Sequence, residues 1–300
     1  MKLTRVDGHV GAVAPFDFAK SAWFLGRFNP VLDEQSIEDG AITKAMAVDG
    51  QAVVFRARPA GGGGDGGGDG VDYELFSDAP ISEATKKAVA DRISFFLSLD
   101  DDLREFYKIG QADGPFASRI EEHHGLHHVK FLTLCESGCW APLAQHAPVQ
   151  VARTLKHRLT EAFGCSLEVD GRTYWAFPEL TTMAKVDEAD MARVIANERK
   201  AHYVKNVVEA LMAVDEEFLR TAPYDEAEAY LRGVKGVGQW SAAFILLRGL
   251  GRMEHMPLDL KPMLKAVEEL YGPGQKMQEF ADRYGPWLGY WAFYLRAGHG

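Results

Sequence analysis

The chain has 300 residues, 47% of them hydrophobic, and carries 43 acidic against 33 basic side chains for a net charge of −10 at pH 7. That length suits two domains better than one, and the apolar content is ample for a packed core. A run of about eighteen apolar residues, the minimum for a membrane-spanning helix, is absent, and the opening MKLTRVDGHVG lacks a signal-peptide core, so a soluble cytoplasmic protein is expected.

Residues 1–112 alternate strand-like and helical stretches. Residues 41–47 and 51–57 read as strands around Asp49-Gly50, a dipeptide favoured in two-residue hairpin turns, and 71–76 reads as another strand. Between them GGGGDGGGDG, 61–70, cannot repay its ordering entropy and predicts a mobile hairpin loop. A phosphate cradle is disfavoured there, because no Lys-Ser/Thr ending follows and the aspartates would repel phosphate. Residues 81–98 carry helical spacing through Ala84, Ala88, Ile93, Phe96 and Leu97, and 103–109 follow as a second helix.

From about residue 113 the pattern is almost wholly helical, with candidate helices at 129–136, 149–163, 188–192, 200–212, 225–232, 239–249, 260–270 and 286–297. Short loops join them, as in a bundle. Residues 164–175 interrupt, with Asp170-Gly171 placed to close a small hairpin. The fold class predicted is α+β: a small N-terminal antiparallel sheet-and-helix domain over 1–112, then a mainly α-helical domain over 113–300. His123, His124, His127 and His128 have metal-like spacing, but no acidic or cysteine pattern completes a zinc site. Cys135, Cys139 and Cys165 make no even disulfide framework, and the first two, four apart, would share a helix face as small buried hydrophobes.

The segment 231–259, LRGVKGVGQWSAAFILLRGLGRMEHMPLD, carries the chemistry. Val234-Lys235-Gly236-Val237-Gly238 lies between two helical stretches, and its glycines, lacking Cβ, let the backbone turn tightly and approach a ligand. The amides that follow, at a helix N-terminus, suit a phosphate oxygen. Lys235, Gly236, Val237, Gly238 and Gln239 are therefore candidate contacts to a nucleic-acid backbone, held without reading its sequence. Asp259 follows Pro257 and precedes the helical spacing of Leu260, Met263, Leu264, Val267 and Leu270. Alone it reads as a helix N-cap; a cap can also face a cleft. A phosphate-gripping hairpin with an acid about twenty residues downstream is what removal of a damaged base from DNA requires.

On these residues the chain resembles the helix-hairpin-helix, Gly/Pro-Asp superfamily of DNA glycosylases, and within it the bacterial 3-methyladenine DNA glycosylase II branch. GVGQWSA is similar to that branch's hairpin, with Trp240 where bifunctional relatives place a lysine. HHVKFLTLCESGCWAPLAQHAPVQVARTLKHRLTEAFG, RKAHYVKNVVEAL and YGPWLGYWAFYLRAG resemble helices of the same domain, so the likeness spans about residues 115 to 298 and extends more loosely through FFLSLDDDLREFY. The C-terminus lacks the four-cysteine cluster of the iron–sulfur branch.

The resemblance implies two helical subdomains flanking a cleft, with hairpin and acid meeting at its mouth. It implies a monofunctional base-excision-repair enzyme that hydrolyses the N-glycosidic bond of a flipped alkylated purine in damaged double-stranded DNA, leaving an abasic site. No obligate protein partner is implied, and the place of action is the nucleoid. Alternatives are a glycosylase for oxidised or deaminated bases (8-oxoguanine, hypoxanthine, uracil) and a noncatalytic DNA-binding module. Asp259 would stabilise the oxocarbenium-like sugar and orient or deprotonate water. The flipped base needs an aromatic pocket, for which Trp140, Trp240, Phe244, Tyr290 and Trp291 are candidates, with Tyr174 and Trp175 behind them. Arg296 stands where the family places a pocket tryptophan. Gln145-His146 resembles the loop that fills the gap left by the extruded nucleotide; His146 reads equally as a surface residue in a turn. No cofactor is needed for the chemistry, while a monovalent cation (Na+ or K+) on the carbonyls of Arg232, Val234 and Val237 is implied. The net charge runs against a duplex binder's usual basic footprint. Acids cluster at 100–105, 187–190 and 215–217, whereas Arg232, Lys235, Arg248 and Arg252 surround the hairpin, predicting a local basic face and weak, salt-sensitive binding to undamaged DNA.

Overall fold

The computed structural model describes residues 3–61 and 70–297. Strict alternation of half-buried and exposed positions makes Thr4–Gly11 (β1) a strand with one wet face, although its sequence reads as an unremarked terminus. Asp17 then caps helix α1, Phe18–Leu25, by accepting the Lys20 amide, and a 3-10 turn over Asn29–Val31 leads to β2, Gln35–Glu38. Strands β3 (Ala41–Val48), β4 (Gln51–Pro59) and β5 (Gly70–Ser77) complete an antiparallel sheet in the order β1-β5-β4-β3-β2. Val48 pairs with Gln51, and Asp49 and Gly50 take φ of 52° and 77°, the two positive angles a two-residue hairpin turn needs. The expected mobile loop falls on residues 62–69, outside the described residues.

Helices α2 (Glu83–Leu97), α3 (Arg104–Ala112) and α4 (Gly114–His123) follow, and then a correction. The helix expected at 129–136 is α5, Leu134–Ala144, capped by the Thr133 side chain. Residues 129–132 are held out of helix by tertiary pairing: Lys130 donates its amide to Phe96 and Phe131 to Arg248. Helix α6 (Val149–Phe163) ends at a hairpin of β6 (Cys165–Val169) and β7 (Arg172–Ala176). That hairpin packs against the main sheet, joining Leu167 and Tyr174 to Ala45, Ala47 and Val54, with the Ser36 and Tyr174 hydroxyls 2.8 Å apart. Tyr174 is thereby removed from any cleft role, and Trp175 lies beside Thr160 and Thr173 on the same hairpin.

The remaining helices are α7 (Leu180–Lys185), α8 (Glu188–Ile195), α9 (Glu198–Ala213), α10 (Glu216–Thr221), α11 (Tyr224–Arg232), α12 (Gln239–Phe244), α13 (Lys261–Tyr271), α14 (Met277–Tyr284) and α15 (Leu288–Ala297). Helix α12 widens into a π turn over Ile245–Gly249, where the backbone comes so close to α5 that a Cβ on Gly249 would sit 2.2 Å from Ser137 Oγ.

Two large cores hold the molecule. One joins the sheet and α2 to α5, α6, α8 and α9 through Phe55, Tyr73, Phe96, Phe131, Trp140 and Leu159. The other joins α3 and α4 to α13, α14 and α15 through Phe106, Phe116, Tyr284 and Trp291. Packing therefore runs across residue 112. An ionic cluster reinforces the first core: Lys156, fully buried on α6, lies 2.6 Å from Glu34 and 2.7 Å from Glu136, and Lys44 on β3 lies 3.1 Å from Glu34. Burial pushes the Glu34 carboxyl up, but the two ammonium groups outweigh it and hold it at about 2.

Candidate active site

The hairpin between α11 and α12 is built from its glycine outward. Gly236 takes φ +99°, and a Cβ there would lie 2.4 Å from the Tyr203 ring, so the ring of α9 packs directly on its backbone. Asn206, one turn along α9, donates to the Lys235 carbonyl at 3.1 Å. Gln145 reaches across from the α5–α6 loop and donates to the Gly236 carbonyl and to Ser241 Oγ, both at 2.7 Å. Lys200 ties that loop to α9 by donating to the carbonyls of Pro142, Leu143 and Gln145. Tyr203, Asn206 and Lys200 are site-building residues that local sequence did not reveal, because their partners lie far away in the chain.

No side chain caps α12, so its first-turn amides face outward beside exposed Gly238, Gln239 and Lys235. Val237, by contrast, is buried in the core between the hairpin helices, and only its backbone faces the turn. Arg232 and Lys235 are exposed and form no ion pair among the described residues. The expected basic face is smaller than the sequence suggests. Arg252 pairs with Glu254 and donates to Leu219 and Ala222 carbonyls, and Arg248 points inward.

Asp259 is exposed, and its carboxylate has no hydrogen-bond or ion-pair partner among the described residues. It does not cap α13: Leu260 occupies that position without a side-chain bond. Its outward orientation follows from alternation along an extended loop, where Met256, Leu258 and Leu260 pack inward on the C-terminal core. Pro257 and Leu260, flanking it, line a cavity of about 510 Å³ whose opposite wall includes Trp240 and Phe244 of α12, stacked 5.2 Å apart. That volume lies in the range of about 300–1,000 Å³ typical of small-molecule sites.

Two of the aromatic candidates, Trp240 and Phe244, thus face the cavity, and Trp240 is 37% exposed. The other three are corrected. Trp140 is 2% exposed and packs near Phe131 and Lys156; Tyr290, 1% exposed, donates its hydroxyl to Asp101; Trp291, fully buried, stacks on Phe280 at 4.7 Å. Helices α5 and α15 are buried on nearly every face, so aromatic residues there serve the core. Phe24, Phe28 and Phe293 line the cavity instead, the first two from the N-terminal region. Arg248 also lines it, and one signal was available: Trp240, Phe244 and Arg248 recur at helical spacing.

Gln145 is corrected from a free DNA contact to a brace, because its amide nitrogen is committed to the hairpin. His146 is exposed with φ 50°, a left-handed conformation that turns its side chain outward, without a partner among the described residues. The His127 ring lies between two carbonyl acceptors, with Nδ1 2.6 Å from Ser98 and Nε2 2.9 Å from Pro15, and among the described residues no group of three or more His, Cys, Asp or Glu is placed to hold a metal. The Val234 carbonyl accepts the Val237 amide at 2.9 Å.

No protein-family model matches the sequence. A DNA-3-methyladenine glycosylase of Bacillus subtilis is 28% identical over 224 residues, covering 72% of this chain and 74% of the relative. Among solved structures, a 3-methyladenine DNA glycosylase from Archaeoglobus fulgidus superposes with a TM-score of 0.76 at 21% identity over 99% of both chains. An 8-oxoguanine glycosylase/lyase of Clostridium acetobutylicum, solved with double-stranded DNA, gives 0.69 at 18% identity over 98% of this chain and 97% of that one. These structural likenesses carry the fold.

Proposed function

We propose that this chain, which belongs to the helix-hairpin-helix superfamily of DNA glycosylases and there to the 3-methyladenine DNA glycosylase II-like type, excises alkylated bases from double-stranded DNA in base-excision repair. The observation that carries the reading is Asp259: exposed, without a partner among the described residues, and set between Pro257 and Leu260, which line a cavity of about 510 Å³ with an aromatic wall. DNA as partner is supported by a neighbour of the same fold solved on duplex DNA.

The chemistry follows from these groups. The first-turn amides of α12 after Gly238, with Lys235 and Gln239, grip a phosphate of the lesion strand. The lesion nucleotide leaves the stack and its base enters the cavity against Trp240 and Phe244. His146, projecting from the braced loop, fills the vacated space. As the glycosidic bond lengthens, positive charge grows on the sugar, and the Asp259 carboxylate stabilises it and takes the proton of the attacking water. Trp240 offers no amine where bifunctional relatives carry lysine, so the product is an abasic site in an intact strand.

A monovalent cation on the carbonyls of Arg232, Val234 and Val237 would supply electrostatic bracing between hairpin and phosphate. The donor set fits a hard cation, since neutral carbonyl oxygens on a tight turn suit one, and Val234 keeps a second lone pair beside its bond to Val237. No helix among the described residues is long and apolar enough to cross a membrane.

The test is incubation of the protein with duplex DNA carrying methylated purines. Free methylated base should be released and the strand should break only after later alkaline treatment. Strand cleavage without alkali, or no base release, would count against the reading.

A further inference from the structure

The loop that carries Asp259 is tied down at its start by one side chain. Arg252, 10% exposed, donates Nη1 to the Leu219 carbonyl and Nη2 to the Ala222 carbonyl, both at 2.9 Å, and Nε to Glu254 at 2.6 Å. Leu219 belongs to α10, and Ala222 opens the turn into α11, the helix that enters the hairpin. The Arg252 guanidinium also lies 5.5 Å from the ring of Tyr224, the first residue of α11, and His255 packs on the same ring at 5.0 Å. The backbone is held too: the Arg252 amide bonds the Leu246 carbonyl at 2.9 Å, and the Met253 carbonyl accepts from Gly289 of α15 at 2.7 Å. A Cβ on Gly289 would lie 2.9 Å from Met253 Cα, so loop and helix touch backbone to backbone.

These contacts leave the acid little slack. Only Met256, Pro257 and Leu258 separate His255 from Asp259; Met256 and Leu258 pack on the C-terminal core, and the Pro257 ring fixes its own φ. Asp259 has no partner of its own among the described residues, so its carboxylate takes its position from the loop. Arginine suits the task of holding that loop, because its planar fork reaches two carbonyls and a carboxylate at once, where an ammonium is a point charge. Glu254 compensates the desolvated guanidinium.

The chain runs from α11 through the hairpin, α12 and the π turn to Arg252, whose guanidinium closes that circuit back onto the start of α11. We propose that Arg252 is a positioning residue for base excision: by tying the acid-bearing loop to the α10–α11 turn, it fixes Asp259 relative to the phosphate held by the hairpin. The inference rests on the glycosylase reading above and adds to it a residue that contacts neither the base nor the reacting sugar. The gripped phosphate sets where the sugar stands, and the loop sets where the carboxylate stands, so the two must be held in register for the chemical step. A misplacement of about 1 Å at a reacting group costs about 100-fold in rate.

A double-mutant cycle tests this, reading single-turnover release of 7-methylguanine from duplex DNA by wild type, Arg252→Met, Asp259→Asn and the two combined. Arg252→Met should slow release about 100-fold in the wild-type background but less than about 3-fold in Asp259→Asn, because a misplaced carboxylate costs nothing once the carboxylate is gone. Affinity for abasic duplex should change less than about 3-fold, with Tm measured alongside to show that each variant is folded. Arg252→Lys, which keeps the charge but loses the fork, should recover part of the rate, to about 10-fold below wild type. Should Arg252→Met not fold, the cycle is run with Arg252→Lys, whose smaller loss should likewise vanish in Asp259→Asn. Equal loss in both backgrounds, or affinity falling in proportion to rate, makes Arg252 a structural support and overturns the proposal, as does Arg252→Met turning over at the wild-type rate. Each of those results spares the glycosylase reading. A wild type that releases no methylated base removes that reading, and this proposal with it.

Discussion

Asp259→Asn isolates one charge. The side chain is exposed and bonded to nothing among the described residues, and asparagine keeps its shape, so folding stability should move by no more than about 0.5 kcal/mol. The transition state loses a unit negative charge facing a sugar cation. At about 4 Å and an effective dielectric of about 20 that attraction is about 4 kcal/mol. With about 1.4 kcal/mol per tenfold, the chemical step should slow about 10³-fold. Single-turnover release of methylated base, with enzyme in excess over a lesion duplex, reads the step directly; binding to product-like abasic DNA and Tm are measured in parallel. Binding and Tm should hold while the rate falls. An Asp259→Asn protein that keeps full turnover would refute the mechanism, and one that loses binding in proportion to rate would make Asp259 a DNA-positioning group instead.

Gly236→Ala should weaken duplex affinity and lower Tm by several degrees, because alanine meets both a φ of +99° and the Tyr203 ring at 2.4 Å; calorimetry and a DNA titration check both. Lys156→Met should destabilise by about 3–5 kcal/mol by leaving Glu136 without its buried cation and Glu34 with Lys44 alone, as read by denaturant unfolding. The same cluster sets an acid limit. The folded Glu34 pKa is depressed to about 2 from 4.5, so its contribution is complete above the unfolded value and is lost as pH falls from about 4.5 towards 2. A Tm profile should drop across that window, and Glu34→Gln should flatten that part of the drop.

Legibility in the sequence tracked how local the determinant was. The β3–β4 turn, the α6 boundaries and the hairpin were readable because each follows from residues within a few positions: Asp49-Gly50, a fifteen-residue amphipathic run, and glycines between helical stretches. Strand β1 was missed because its partner, β5, lies far along the chain, with Thr4 opposite Ser77 and Gly11 opposite Gly70. The shift of α5 had a similar cause, since residues that look helical were claimed by backbone bonds to α2 and to the π turn.

The sequence by itself determined that a glycine hairpin and an unaccompanied acid occur at glycosylase-like spacing, since backbone freedom at Gly236 and the chemistry of a carboxylate at Asp259 are properties of those residues. Only the tertiary structure decided which aromatic rings face a cavity and which are core, because Trp140, Trp291 and Trp240 look alike on a helix until the helices around them are packed. It also decided the electrostatics. Phe24 and Phe28, His128, Arg248 and Phe293 come from four separated stretches, and their shared desolvation exists only once the chain closes around them.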